Sequence, residues 1–259
     1  MPTLIETKSA EACAALCREL GFRFIELNMN LPEYQTDALD VPRLRGISAE
    51  YGVFYTIHLD ENLSPCDFNP LVAEAYTRTV LRTVEIAREL DAPILNMHLA
   101  EGVHFTLPDR KAFLFGEYES EYLRKLTAFR DVCEAAAGGA NVKICIENSG
   151  GYNRAPFLTK GLDLLLQSPA FALTFDVGHN AGTGFANEPV ITARGDRLRH
   201  MHIHDALDRG NHLALGTGAL DLQKYLTLAE RRGCRAVVEV KTAAGLRGSA
   251  QWLRTAGWL

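Results

Sequence analysis

The sequence predicts an α/β fold in which eight parallel strands, each followed by a helix, close into a barrel. Short apolar runs alternate with longer amphipathic runs along the whole chain, as expected for strand–helix–strand units. The length of 259 residues suits a single (β/α)8 TIM barrel domain over residues 1–259. An open doubly wound sheet is the alternative, but no glycine-rich phosphate turn follows the first strand candidate.

The individual elements follow from the period of the apolar residues. A weak first strand is expected at Leu4 and Ile5, and the other strand candidates are 22–27, 53–59, 93–99, 142–148, 171–177, 198–204 and 235–240. Helices are expected over 9–20, 37–51, 70–90, 117–137, 158–167, 188–194, 221–232 and 245–256. The connection over residues 99–116 is long enough to be a lid over the barrel mouth.

Composition and charge are those of an ordinary globular protein. Hydrophobic residues make up 47% of the chain, charged residues 23%, and the net charge is −5. These values favour neither a nucleic acid nor an acidic membrane as partner. The N-terminus lacks a signal-peptide pattern, and no apolar run approaches the roughly 20 residues of a membrane span. The six cysteines form no CxxC pair and no disulfide framework, so we expect reduced thiols and a cytoplasmic location.

Potential metal ligands stand at or near the downstream ends of successive strand candidates. In a parallel barrel these ends meet on one face, where active sites are built. Imidazole and carboxylate groups suit zinc, manganese, iron or cobalt. Charged groups this close to buried strands also need a metal or a partner to offset their desolvation. The residues are His58, His98, Glu147, Asp176, His202 and Glu239.

The two strand-end glutamates have three possible roles. Glu147 and Glu239 end almost wholly apolar strands, so each is a metal ligand, a catalytic base or one half of an ion pair. Lys241 is the nearest candidate for such a pair. Asp176 and His179 are three residues apart at another strand end and can face the same mouth.

Three histidines alternate along one strand and therefore share a face. They span about 13 Å, so they cannot all bind one ion. We expect His200, the deepest, to be a hydrogen-bonded structural residue and His202 to be the ligand. His204, with Asp205, would support the ligands or line the substrate pocket.

The remaining polar residues near the mouth leave alternatives open. His58 and His98 could bind a second metal, contact substrate hydroxyls, or simply be hydrogen-bonded near the barrel top. His212 could reach the same pocket from a later loop. Glu26 also ends a strand but has no partner at a suitable spacing, so we expect a structural role for it.

Nearly the whole chain resembles the xylose isomerase-like barrel superfamily, in particular its sugar phosphate isomerase/epimerase branch and the endonuclease IV-type enzymes. The segments that carry this resemblance are FIELN, IHL, LNMH, CIEN, FDVGH, MHIHD, HLALGTGALD and VVEVK. The resemblance implies a divalent metal, such as Zn, Mn or Co, held by Glu147, Asp176, His202 and Glu239. It also implies that His179 contacts substrate or a further metal.

The endonuclease IV-type enzymes add ligands that match His58, His98, His179 and His212, for a three-zinc cluster. They also have an aspartate two residues before the last of these, where this chain has Gly210. The mouth segments NMNLPEYQTDALD and LDENLSPCDFNP carry acids where a phosphate backbone would require cationic side chains or backbone donors. Both departures disfavour DNA as substrate.

The expected function is therefore that of a metal-dependent sugar or sugar phosphate isomerase or epimerase. Glu147 and Glu239 would transfer protons on opposite sides of a metal-bound enediolate. Phe68, Phe105 and Tyr152 could stack on the sugar. The rivals are a zinc phosphodiesterase acting on abasic DNA and a non-catalytic barrel. An oligomer is possible. The expected substrate-binding residues are His58, His98, His179, His204, His212 and Lys241.

Overall fold

Seven parallel strands form the main sheet of the computed structural model, which describes residues 1–139, 141–152 and 154–259. In chain order the strands are β1 (Phe24–Asn28), β2 (Phe54–His58), β3 (Ile94–His98), β4 (His104–Thr106), β5 (Lys111–Phe113), β6 (Lys143–Glu147), β7 (Phe171–Asp176), β8 (Leu198–Ile203), β9 (Asp205–Leu207), β10 (Gly210–Leu213) and β11 (Arg235–Val238). The main sheet has the order β1-β2-β3-β6-β7-β8-β11 and curls into a nearly closed barrel.

The first barrel strand is reduced to a short segment beside β1. Pro2 forms a parallel bridge with Glu26, whose backbone N–H donates to the Met1 carbonyl at 2.9 Å. The expectation of a strand at Leu4 and Ile5 was wrong, because the chain turns there and Ile5 is 76% exposed. The predicted TIM barrel is otherwise confirmed.

Helices follow the barrel strands and cover the outside of the sheet. Their starts depend on local capping: Asp40 accepts a hydrogen bond from the Arg43 N–H at 3.0 Å, so α2 begins at Val41 rather than at residue 37. The short helix α7, directly after Asp176, was not predicted. The helices are α1 (Ala10–Leu20), α2 (Val41–Tyr51), α3 (Pro70–Glu89), α4 (Leu114–Glu117), α5 (Glu119–Ala137), α6 (Pro156–Leu165), α7 (Val177–Gly182), α8 (Glu188–Thr192), α9 (Leu222–Arg232) and α10 (Ala243–Thr255).

Two hairpins project from the mouth of the barrel. The expected lid over residues 99–116 contains the antiparallel pair β4–β5 and most of α4. A second antiparallel pair, β9–β10, follows β8. Neither hairpin was predicted, because strands of three or four residues are too short to show an alternation of apolar and polar residues.

The residues that point into the barrel form layers. Ile94, Cys145 and Ala172 pack together in a small apolar layer near the bottom. Two residues further along β3, β6 and β7 the inward positions are polar, at Asn96, Glu147 and Thr174, with the mouth of the barrel above them. The main apolar core lies between the sheet and the helices. The sheet thus presents an apolar outer face and an increasingly polar inner face.

None of the helices in the described ranges combines the length and the apolar character needed to cross a membrane.

We predict that native protein exposes one slowly reactive thiol. All six cysteines are free, and only Cys234 is not buried. Burial raises the pKa of Cys234 to about 11 and that of Cys66 to about 12, so thiolate is scarce at neutral pH. Maleimide labelling followed by mass spectrometry should find one slow site, with a rate that rises about tenfold per pH unit below the pKa. Cys234→Ser should abolish it. Rapid labelling at several cysteines would contradict the packing described here.

Candidate metal centre and active site

The carboxylate of Glu147 lies at the centre of the strand-end cluster. Its Oε2 is 3.2 Å from His98 Nε2, 3.5 Å from His58 Nε2 and 3.4 Å from His202 Nδ1. Its Oε1 is 3.1 Å from His179 Nδ1. The carboxyl ends of four barrel strands, β2, β3, β6 and β8, and the first turn of α7 therefore meet at one buried carboxylate.

The four residues expected to bind a metal converge around His202. Its Nδ1 lies 3.2 Å from Glu239 Oε2 and 3.8 Å from Asp176 Oδ2, in addition to its contact with Glu147. Ligand atoms of Asp176, His202 and Glu239 all lie within 4.8 Å of one another. Ligands about 2.0–2.2 Å from one ion would be separated by up to about 4.4 Å. The spacing is therefore close to that of a coordination sphere.

Unpaired buried atoms in this cluster also fit a cation. Glu147 Oε1, His202 Nδ1 and Glu239 Oε2 are buried and form no hydrogen bond within the described residues. Buried polar atoms without partners cost free energy, which a bound divalent cation would offset. A set of carboxylate and imidazole donors suits zinc, manganese or cobalt. The residues present therefore fit a divalent metal.

A buried polar layer lies beneath the cluster. Glu26 Oε1 is 2.8 Å from His202 Nε2, and its Oε2 is 2.8 Å from His200 Nε2. Thr56 donates a hydrogen bond to the same Oε2 at 3.0 Å. His200 is thus a hydrogen-bonded structural residue, as expected. Glu26 does more than the sequence indicated, because it orients His202 so that Nδ1 faces the three acids.

A signal for this role of Glu26 was present in the sequence. Glu26 stands two residues before the end of its strand, and His200 stands two residues before His202. In a barrel both positions fall in the layer below the strand ends. Burial opposes ionisation of Glu26, but the charges of His202 and His200 outweigh it and hold its pKa well below the usual range.

His204 lies behind Asp176. Its Nε2 is 3.1 Å from Asp176 Oδ2, and its Nδ1 accepts a hydrogen bond from the His212 N–H at 3.1 Å. Both ring nitrogens are therefore occupied, and the ring is fully buried. Asp176 also accepts a hydrogen bond from the His179 N–H at 2.6 Å as the N-cap of α7. Of the two roles expected for His204, the geometry favours support of a ligand.

Asp205, which was grouped with His204, organises a loop instead. Its carboxylate accepts backbone hydrogen bonds of 2.9–3.0 Å from Ala206, Gly216, Gly218 and Leu220. These donors come from the start of the β9–β10 hairpin and from the segment that follows it. Asp205 therefore ties both ends of the hairpin to the end of β8.

Glu239 is held from two sides. Lys241 Nζ lies 2.6 Å from Oε1, so the ion pair considered from the sequence is present, while Oε2 faces His202. His212 Nδ1 lies 3.8 Å from Oε2. Burial lowers the pKa of His212 to about 4 despite the nearby carboxylate, which makes this imidazole neutral.

Both glutamates of the cluster are ionised at neutral pH. Burial opposes the charge of Glu147, but the charges of His202 and His98 and the contact with the His179 imidazole hold its pKa well below the usual range. Burial also opposes the charge of Glu239, but His202 and Lys241 hold the pKa of this carboxyl well below the usual range. Two charged carboxylates therefore face the same point.

A cavity of about 1090 Å³ opens beside the cluster and reaches it at His179. Its aromatic lining residues are Phe113 and Phe185. The expected stacking residues lie elsewhere: Tyr152 is buried, Phe68 packs against Phe115, and Phe105 is exposed on the β4–β5 hairpin. Sequence cannot show which way a mouth aromatic turns, because neighbouring loops decide it.

We predict that Gly178→Ala disrupts the support of Asp176. A Cβ at this position would overlap the His204 ring and Asn211 Oδ1, so His204 would have to move. Overpacking of this kind costs about 1–3 kcal/mol, measurable by urea denaturation, and metal affinity should fall in parallel. Gly182→Ala is the matched control, since no atom of the described residues lies within 4 Å of its Cβ position. Equal stability of the two variants would contradict the close contact at Gly178.

Comparison with known proteins places this geometry in a family. The model of the xylose isomerase-like TIM barrel family matches residues 14–256. A solved D-tagatose 3-epimerase-like protein has a TM-score of 0.78 and 20% identity, covering 98% of this chain and 95% of its own.

Two further solved structures share the fold. A 3-keto-D-glucoside 4-epimerase from E. coli has a TM-score of 0.76 and 14% identity over 98% of both chains. The IolI protein, solved with a bound zinc atom, has a TM-score of 0.73 and 16% identity, covering 98% of this chain and 94% of its own. Since the family model spans nearly all of the barrel, the chain belongs to the xylose isomerase-like TIM barrel family.

Proposed function

We propose that the chain is a divalent-metal-dependent sugar or sugar phosphate epimerase or isomerase that transfers a proton at the carbon beside the carbonyl. The arrangement of two charged, buried carboxylates around one histidine nitrogen carries this proposal. Glu147 Oε2 and Glu239 Oε2 lie 3.4 and 3.2 Å from His202 Nδ1. Glu147 ends β6 and Glu239 directly follows β11, and these two strands lie on either side of β8 in the sheet. Such a pair of carboxylates can act on opposite faces of one small substrate.

The chain's residues would divide the reaction between them. A divalent cation held by Glu147, Asp176, His202 and Glu239 would, when bound, polarise the substrate carbonyl and make the neighbouring C–H acidic. One glutamate would remove that proton, leaving an enediolate. The other, after taking up a proton from solvent at the barrel mouth, would return it to the opposite face for epimerisation, or to the adjacent carbon for isomerisation, and the first would release its proton to solvent to complete the cycle.

The histidines near Glu147 would orient the sugar. The side chains of His98 and His179 are 15% and 22% exposed, so they can reach substrate hydroxyls. His58 is only 7% exposed, and its Nδ1 lies 2.7 Å from the Leu59 carbonyl oxygen. The side chain of Lys241 is 47% exposed beside Glu239 and offers another donor. Similarity to proteins named as sugar epimerases, and to one solved with zinc, supports the substrate class and the metal.

A zinc phosphodiesterase acting on abasic DNA remains the second candidate because further groups of ligands are present. Glu147, Asp176 and His179 form one group within 4.8 Å, and His204, His212 and Glu239 form another. However, the backbone N–H of His212 donates a hydrogen bond to His204 Nδ1, so this ring nitrogen is already occupied and does not bind a metal in this arrangement. Gly210 also supplies no carboxylate where a third zinc would need one.

We predict about one divalent metal ion per chain in protein purified without chelator. Glu147→Gln and His202→Ala should remove most of it, because each deletes a proposed ligand. Glu26→Gln should weaken metal affinity about 10–100-fold, measured by competition with a chromogenic chelator, because His202 loses its orienting carboxylate. Glu89→Gln, on the outer surface, is the control. Full metal content in both ligand variants would overturn the site, and two or three zinc ions per chain would favour the phosphodiesterase.

We further predict solvent exchange at the reacting carbon. Incubation of metal-loaded protein with a panel of ketoses in deuterated water should place deuterium beside the carbonyl, detected by NMR. Glu147→Gln and Glu239→Gln should lower the rate at least 100-fold, since each removes both a proton acceptor and a proposed metal ligand. Interconversion without label would indicate hydride transfer and remove the base role of both residues. Cleavage of an abasic DNA duplex with no sugar turnover would contradict the proposed epimerase or isomerase function.

A further inference from the structure

We propose that the substrate carries an anionic group, a phosphate or a terminal carboxylate, that binds in the side cavity between Lys111, Arg154 and Arg209. This inference rests on the proposed function, since it names the part of the sugar that lies away from the metal centre. The cavity of about 1090 Å³ contacts the cluster at His179 and extends outward between the two hairpins. It is large enough for a sugar together with a charged substituent.

Three cationic side chains from three separate segments line this one cavity. Lys111 begins β5, Arg154 follows β6, and Arg209 lies in the turn between β9 and β10. Among the described residues, none of the three has a carboxylate oxygen within 4.0 Å or a side-chain hydrogen bond. Their charge is thus available to a ligand, and the planar guanidinium group of arginine suits bidentate binding of phosphate or carboxylate.

Two nearby cationic side chains, by contrast, are paired with carboxylates. Arg110, next to Lys111, lies 2.7 Å from Glu117, and Lys241 lies 2.6 Å from Glu239. Two carboxylates, Glu101 and Asp208, also line the cavity. Three cations against two carboxylates still leave a positive wall, and the carboxylates are suited to the hydroxyls of a sugar.

The opposite side of the mouth has the opposite charge. The segment 29–41, after β1, and the segment 59–69, after β2, contain six acidic residues and no Lys or Arg. An anionic group would be repelled from that side and attracted to the cavity wall. The charge distribution therefore fixes one orientation, with the carbonyl at Glu147 and Glu239 and the anion beyond His179.

The test compares matched neutral, phosphorylated and terminally carboxylated forms of the same ketoses in the deuterium-exchange assay. Wild-type protein should show a kcat/KM at least tenfold higher for one anionic form than for the neutral sugar. The preferred form identifies the anion as phosphate or carboxylate. In Arg154→Ala and Arg209→Ala this ratio should fall at least tenfold, and Arg209→Lys should recover part of it. Arg110→Ala, whose guanidinium group pairs with Glu117, should keep the wild-type ratio.

Binding of inorganic phosphate provides a readout that does not depend on turnover. Calorimetry on chelator-treated protein should detect phosphate binding that Arg154→Ala and Arg209→Ala weaken at least tenfold. Binding of phosphate without turnover of any sugar would keep the anion site and reject the proposed function. Turnover of neutral sugars with no anion preference and no phosphate binding would reject the anion site and keep the function. An equal loss of kcat/KM for neutral and anionic sugars in both variants would also overturn the anion site.

Discussion

The burial of Glu147 is the constraint on which the rest of the site depends. A carboxylate that is 1% exposed at the end of a barrel strand is unfavourable unless neighbouring groups stabilise its charge. Four histidines and Asn96 contact it, from the three strands β2, β3 and β8 and from α7. These contacts require the strand ends to lie in register, as in the pairing of His98 with Glu147 and of Asp176 with His202. The register of the barrel strands therefore determines whether the charge of Glu147 is balanced.

The polar layer beneath the cluster contains a second buried carboxylate, Glu26, whose charge is also stabilised by its neighbours. Hydrogen bonds link Glu26 to Thr56 and His200 under His202, and below them the barrel interior becomes apolar. The hydrogen bonds of Glu26 with Thr56 and His200 help to fix the positions of these side chains. Glu147 Oε1, His202 Nδ1 and Glu239 Oε2, which form no hydrogen bond among the described residues, lie in the layer above, at the mouth, where a ligand can reach them.

The sequence predicted the barrel, seven of its strands and the convergence of the strand-end residues, because alternating strands and helices fix which ends meet. The partner of Glu26 was not found, since it depends on which residues of distant strands share a layer. The first strand was misplaced because a one-residue bridge has no period. The hairpins and the orientation of Phe68, Phe105 and Tyr152 depend on loop packing, which spacing along the chain does not encode.

Asp205 has a consequence for how this scaffold can diversify. Its four backbone hydrogen bonds fasten residues on both sides of the β9–β10 hairpin to the end of β8. The turn at residues 208–210 can therefore change in length or sequence while the strand beneath it stays in place. A protein engineer could exchange this turn as a cassette, and natural relatives could acquire new substrates there, without rebuilding the barrel.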